Sequence, residues 1–272
     1  MQTTARKLGS VPGRQPSEVR ALSGLALVNM GPSGVGKTTL IETLYDTPEH
    51  AADYAPVAVL DVDGKAHVLR NSPHLEVYSA VTWTEIAVYA DALAKSCAPF
   101  KTIVWDGVAI MQSKSHEYVG VDKQDNPMER QKLYGKANVL MIQIAQQAKI
   151  LAEQGTNVIF NIWSKPKTQD PDSNVEMIQP DITAKLLRDF IVILDLVVFT
   201  ECAPTIMQGG KIVQGPYPPI MRTGGSQNYA TRSAVSPDSP LRDMPPIIYR
   251  PSLSSILDAW HGAPWPTERH SK

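Results

Sequence analysis

The sequence predicts an α/β protein whose mostly parallel, twisted sheet carries helices on both faces. Three observations predict it. Short apolar runs alternate with helical patterns along most of the chain, a glycine-rich turn joins the first run to the first helical pattern, and a later apolar run ends in an aspartate, Asp106. At 272 residues the chain has ample length to bury a core in one large domain with additions.

The first apolar run, Leu25 to Val28, leads into Gly31-Pro32-Ser33-Gly34-Val35-Gly36-Lys37-Thr38 and then a helical run from Thr39 to Tyr45. This is the spacing and context of a phosphate-binding loop. The glycines let successive backbone N–H groups face one anion, and a helix N-terminus behind them adds its positive end. Lys37 reaches the β- and γ-phosphates. The Thr38 hydroxyl ligates Mg²⁺, which holds the same phosphates from the other side. Residues 31–39 are therefore the expected nucleotide-binding set, with a nucleoside triphosphate as ligand.

Pro56 to Gly64 is a β-branched run that closes on Asp61 and Asp63, as a buried parallel strand would whose C-terminal end faces the nucleotide. A short strand follows over Leu75 to Ser79. Thr82-Trp83-Thr84-Glu85 is a capping box opening a helix to about Ser96, with Ile86, Tyr89, Ala90 and Leu93 on one face. Thr102 to Gly107 is an apolar strand ending in Asp106, the Walker B position that orients the metal. A polar segment over Gln112 to Asn126 precedes a long helix from Pro127 to Gln154, which Gly155 stops. Asn157 to Ile162 is another strand. After a proline-containing loop, Asp181 caps a short helix through Arg188, and Ile191 to Thr200 contains the last strand of the core.

Beyond Ala203 helical periodicity vanishes, and nine prolines fall between Pro204 and Pro251, which marks hairpin and loop material. Gly209-Gly210 between two β-rich triplets predicts a hairpin added antiparallel at a sheet edge. Ser252 caps a short helix to Trp260. The chain thus divides into a flexible basic leader (1–22), a nucleotide-binding core (23–202) and a proline-rich extension (203–272).

A net charge of -1 excludes a globally basic nucleic-acid coat, so any DNA contact must be local. Two distant cysteines, Cys97 and Cys202, fit a reducing compartment, and the scattered histidines lack ligand spacing. No run of about 18 apolar residues or signal-peptide pattern occurs, which predicts a cytoplasmic protein without membrane contact.

Taken in order, residues 31–39, Leu60-Asp61-Val62-Asp63, Ile103 to Val108 and Val158-Ile159-Phe160-Asn161 resemble the four nucleotide-site motifs of the RecA-like ATPase core. A closer resemblance is to short phage-encoded RecA-like proteins of the AAA-type nucleotide-binding class, some of which act as single-strand annealing recombinases. It covers residues 24–202 and, more loosely, the tail. The resemblance implies an ATP- and Mg²⁺-dependent ATPase, working on single-stranded DNA as a homo-oligomeric ring or filament. It implies further that Asp63 stands where RecA-like enzymes place the glutamate that polarises the attacking water. Asp is one methylene shorter, so the water must lie closer or Asp61 must serve, and turnover is slow or absent. Asn161 matches a γ-phosphate sensor; a capped strand end is the alternative. A basic finger from the next subunit is expected among Arg222, Arg232 and Arg242, with Arg232 first. The two loops expected near DNA supply Lys114, Lys123 and Tyr118, then Trp163, Lys165 and Lys167, although neither loop is net basic. A nucleotide-gated binding module without turnover, and a small-molecule kinase, are the competing readings; no arginine-rich lid supports the latter.

Overall fold

The computed structural model describes residues 7–8, 11–12, 23–95, 100–165, 168–169, 176–178, 180–201, 206–208, 211–213, 220–223, 232–233, 241 and 244–265. Their centre is a nine-stranded sheet. Its strands are β1 (Ala26–Gly31), β2 (Val57–Asp61), β3 (Leu75–Ser79), β4 (Thr102–Asp106), β5 (Asn157–Trp163), β6 (Leu196–Glu201), β7 (Ile220–Arg222), β8 (Arg232–Ser233) and β9 (Ile247–Tyr249). Across the sheet they run β9-β7-β6-β1-β5-β4-β2-β3, with β8 also on β6. The six from β6 to β3 are parallel. β7, β8 and β9 extend the β6 edge in antiparallel fashion.

The strand interiors are apolar on both sides because both faces are covered. Alternate residues divide between two cores: Ala26, Val28 and Met30 enter one, Leu25 and Leu27 the other. Over the first face lie α2 (Trp83–Lys95), α3 (Val108–Val119), α4 (Pro127–Glu153) and α5 (Ala184–Ile193). The second is covered by a 3₁₀ segment (Thr39–Leu44), α1 (Pro48–Tyr54) and α6 (Leu253–Trp260). C-terminal α6 is thus integral to the domain: Leu253, Ile256 and Leu257 are fully buried, and the Tyr54 hydroxyl donates to the Asp258 carboxylate.

Several predicted elements take the expected form. The Thr82 box closes, Glu85 accepting from the Val81 and Thr82 amides while Thr82 Oγ1 accepts from Glu85 N–H. Ser252 caps α6 as expected, and the structure adds Asn126 as the cap of α4. Others differ. The segment from Gln112, read as a loop, is largely helical, because Gly107 turns the chain directly into α3 and its apolar positions Val108 and Met111 pack on the sheet. The helix expected from Asp181 begins at Ala184 and runs to Ile193; Asp181 instead faces Lys165 at 3.6 Å. The hairpin of Ile206–Gln208 with Lys211–Val213 forms its own two-stranded ladder, so the antiparallel edge is made by β7 to β9. Within the leader, Lys7–Leu8 pairs antiparallel with Val11–Pro12.

Candidate nucleotide and magnesium site

One register row brings the polar residues together. Asp61, Asp106, Asn161 and Asn29 lie side by side on β2, β4, β5 and β1, near the C-terminal ends of parallel strands. All four are buried. Three of them are linked: Thr200 Oγ1 donates to Asn29 Oδ1 at 2.6 Å, Asn29 Nδ2 to Asn161 Oδ1 at 3.2 Å, and Asn161 Nδ2 to Asp106 Oδ1 at 3.1 Å. Thr38 Oγ1 completes the chain by donating to Asp106 Oδ2 at 2.8 Å.

The phosphate loop leaves β1 at Gly31, whose register partner is Trp163. Gly34 and Gly36 take φ of 80° and 90°, the left-handed values the curl requires. The helical run behind it is a six-residue 3₁₀ segment, since Thr47 caps and Pro48 starts a separate helix so soon after. So short a segment adds little dipole, which leaves anion binding mainly to the loop amides and Lys37. Lys37 is buried, and its Nζ donates to the Gly31 and Pro32 carbonyls, each at 2.7 Å. Burial pushes its pKa down to about 8 against the opposing pull of Asp106. Asp106 is shifted upward, chiefly by burial, although its hydrogen bonds from Thr38 and Asn161 favour the charged form. A cation beside it would relieve that desolvation.

Magnesium suits this donor set. Mg²⁺ takes hard oxygens and keeps waters and phosphate oxygens in its shell, so one hydroxyl and one carboxylate suffice from the protein. Thr38 and Asp106 already converge within hydrogen-bond distance. Among the described residues no cluster of three or more His, Cys, Asp or Glu forms an all-protein cage.

The two carboxylates of the β2 end have separate jobs. Asp61 accepts from the Gly64, Lys65 and Ala66 amides at 2.8, 3.1 and 3.1 Å, so it is spent fixing the turn. Asp63 faces a cleft of about 230 Å³ lined also by Gly36, Lys37, Thr38, Asp106 and Trp163. Gly107, at φ 99°, lets β4 pass this close: a Cβ there would meet Asp63 Cβ and N at 3.0 Å.

The structure places the remaining expected site residues as follows. Asn161 is not a strand end, since β5 continues to Trp163; both of its amide atoms are engaged, Oδ1 by Asn29 and Nδ2 by Asp106. Trp163 is the last residue of β5 and lines the nucleotide cleft, with Lys65 Nζ 4.6 Å from its ring centroid. Lys114 pairs with Glu117 at 3.1 Å on α3, and Lys165 reaches the Ile182 carbonyl at 3.4 Å. Lys123 is exposed at the end of a 3₁₀ turn (Val121–Lys123), whereas Lys167 lies outside the described residues. Among the arginines, Arg222 pairs with Glu201, Arg242 lies outside the described residues, and the Arg232 backbone pairs with Val197 on β6. Val197 is level with Val28, three residues before Gly31, or about 10 Å short of the strand tip at the usual rise. Two site residues escaped the sequence reading, Asn29 and Lys65. Asn29 was legible as a lone amide in an apolar run, and Lys65 as a cation two residues past Asp63.

Fold and site together define a P-loop nucleotide-binding protein built on a mostly parallel sheet. The chain belongs to the AAA_24 family, described as an AAA domain, whose model matches residues 23–231. Among curated proteins none matches its sequence significantly. A KaiC-like protein of the hyperthermophilic archaeon Pyrococcus horikoshii is similar in structure, with a TM-score of 0.41 and 13% identity over 79% of this chain and 83% of that one.

Proposed function

We propose that the chain is a Mg²⁺-dependent ATP hydrolase with Asp63 as the general base. The observation that carries this is the placement of Asp63 in the same cleft as Lys37, Thr38 and Asp106, while Asp61 is consumed by the turn. Thr38 and Asp106 would hold the metal, which supplies charge neutralisation at the β- and γ-phosphates. Asp63 takes a proton from water as the water oxygen bonds to the γ-phosphorus. The bond from that phosphorus to the β–γ bridging oxygen breaks, releasing ADP and phosphate.

The wider setting we infer is single-stranded DNA, in phage recombination or annealing, with the chain working as a cytoplasmic homo-oligomer. That part rests on the motif resemblance to phage RecA-like recombinases. Exposed Tyr118 in the last turn of α3 and exposed Lys123 in the 3₁₀ turn after it are the described groups best suited to a stacked base and a backbone phosphate.

Single-turnover phosphate release, with and without oligo-dT, tests the reading. Asp63→Asn should bind ATP like the parent and release phosphate at least about 100-fold more slowly, the usual worth of a general base. Parental turnover in Asp63→Asn would remove Asp63 from the role; no turnover by the parent under any condition would favour a nucleotide-gated binding module.

A further inference from the structure

Lys65 is the second cation of the nucleotide cleft, and three elements hold it there. Its Nζ lies 3.0 Å from Asp63 Oδ2 at the end of β2 and 3.1 Å from Ser33 Oγ in the phosphate loop. It also stands over the Trp163 ring at the tip of β5. The backbone is anchored as well, because the Lys65 N–H is one of the three amides bound by buried Asp61. Lys37 approaches the loop from the buried side and Lys65 from the open side, its side chain 40% exposed. Two ammonium groups thus flank the anion-binding curl, with the candidate base beside the outer one.

We propose that Lys65 stabilises the charge on the transferring γ-phosphoryl group, and that it does so within its own chain. This rests on the hydrolase reading above, and it reassigns a role that the sequence pointed to Arg232 of a neighbouring subunit. Without nucleotide, the ammonium neutralises Asp63. The terminal phosphate carries more charge and more acceptor oxygens than a carboxylate, so its arrival draws the ammonium across. The four-carbon stem permits the swing, and Ser33 marks its path along the loop. Asp63, relieved of its partner, accepts the proton of the attacking water. Lys65 keeps its own protons throughout and donates hydrogen bonds to a non-bridging γ-oxygen while the bond to the leaving ADP breaks. Arg232 in the same chain is poorly placed for this work, its backbone lying level with Val197, well before the strand tips.

The test uses the full chain with Lys65→Ala, Lys65→Arg and a mixing experiment with Lys37→Ala. Single-turnover hydrolysis by Lys65→Ala should fall about 1,000-fold, the lower range for a charge-stabilising finger. Its ADP affinity should stay within about twofold of the parent, and Lys65→Arg should recover part of the rate, as a retained cation allows. Lys65→Ala mixed with Lys37→Ala should hydrolyse no faster than the two alone, because every site then lacks one lysine of its own chain. Recovery of rate in the mixture would overturn the within-chain assignment, and parental turnover by Lys65→Ala would overturn the role itself. A parent that releases no phosphate refutes the hydrolase reading, and binding then decides Lys65. Loss of affinity for a non-hydrolysable ATP analogue but not for ADP supports γ-phosphate contact; equal loss for both rejects it.

Discussion

Raising the pH should weaken ATP binding through Lys37 alone, by an amount that the burial of its ammonium sets. The folded protein holds the Lys37 pKa down to about 8 from the ordinary 10.5, with desolvation the largest cause. The charged form is therefore disfavoured in the nucleotide-free protein, and the charge is lost as pH rises through about 8. Phosphates favour the charged form, so binding raises the pKa and takes up a proton whenever the free protein has lost one. Above pH 8 affinity should fall about tenfold per unit. Between pH 7.5 and 9.5, weighted by the fraction still protonated, this amounts to about 25-fold, or about 2 kcal/mol. Calorimetric titration with ATP and Mg²⁺ in buffers of different ionisation enthalpy measures affinity and proton uptake together. Near pH 8 about half a proton should be taken up per nucleotide bound. Lys37→Arg, whose guanidinium stays charged throughout, should bind more weakly at pH 7.5 but with a flat profile. A flat profile in the parent, without proton uptake, would show that Lys37 is not the buried phosphate ligand.

Asn161→Ala leaves a buried Asn29 donor and a buried Asp106 acceptor without their partner, each worth about 1 to 3 kcal/mol. Urea denaturation should show a loss in that range or above, and half-saturation of nucleotide binding should need more Mg²⁺; unchanged stability would contradict the relay. Gly107→Ala adds a Cβ at 3.0 Å from Asp63 and imposes φ 99° on an L-residue, a strain of about 1 to 2 kcal/mol. We expect slower single-turnover hydrolysis with ADP affinity within about twofold of the parent, since the crowding falls on the base and not on the loop. Equal loss of ADP binding would refute that localisation.

The features readable from the sequence are those whose physics is local. The loop from Gly31 to Thr38 requires particular residues at fixed spacing; Asp106 ends an apolar run, and the caps at Thr82 and Ser252 satisfy amides a few residues away. Alternation of strands and helices likewise implied a parallel sheet covered on both faces. Strand order was not local information. Only the folded sheet sets β5 between β1 and β4, and that placement turns Asn161 into the link between Asn29 and Asp106. The same holds for the choice between Asp61 and Asp63, two carboxylates two residues apart. One is committed to three amides of the turn and the other faces the cleft, a difference of backbone geometry that composition does not carry. The place of Trp163 in β5 is not legible locally, because the end of that strand depends on its pairing with Gly31, a residue 132 positions away. Chemistry that requires a residue type at a spacing is written along the chain. Chemistry that requires two distant strands to finish level with one another exists only after the sheet has formed, because hydrogen-bond register decides which side chains meet.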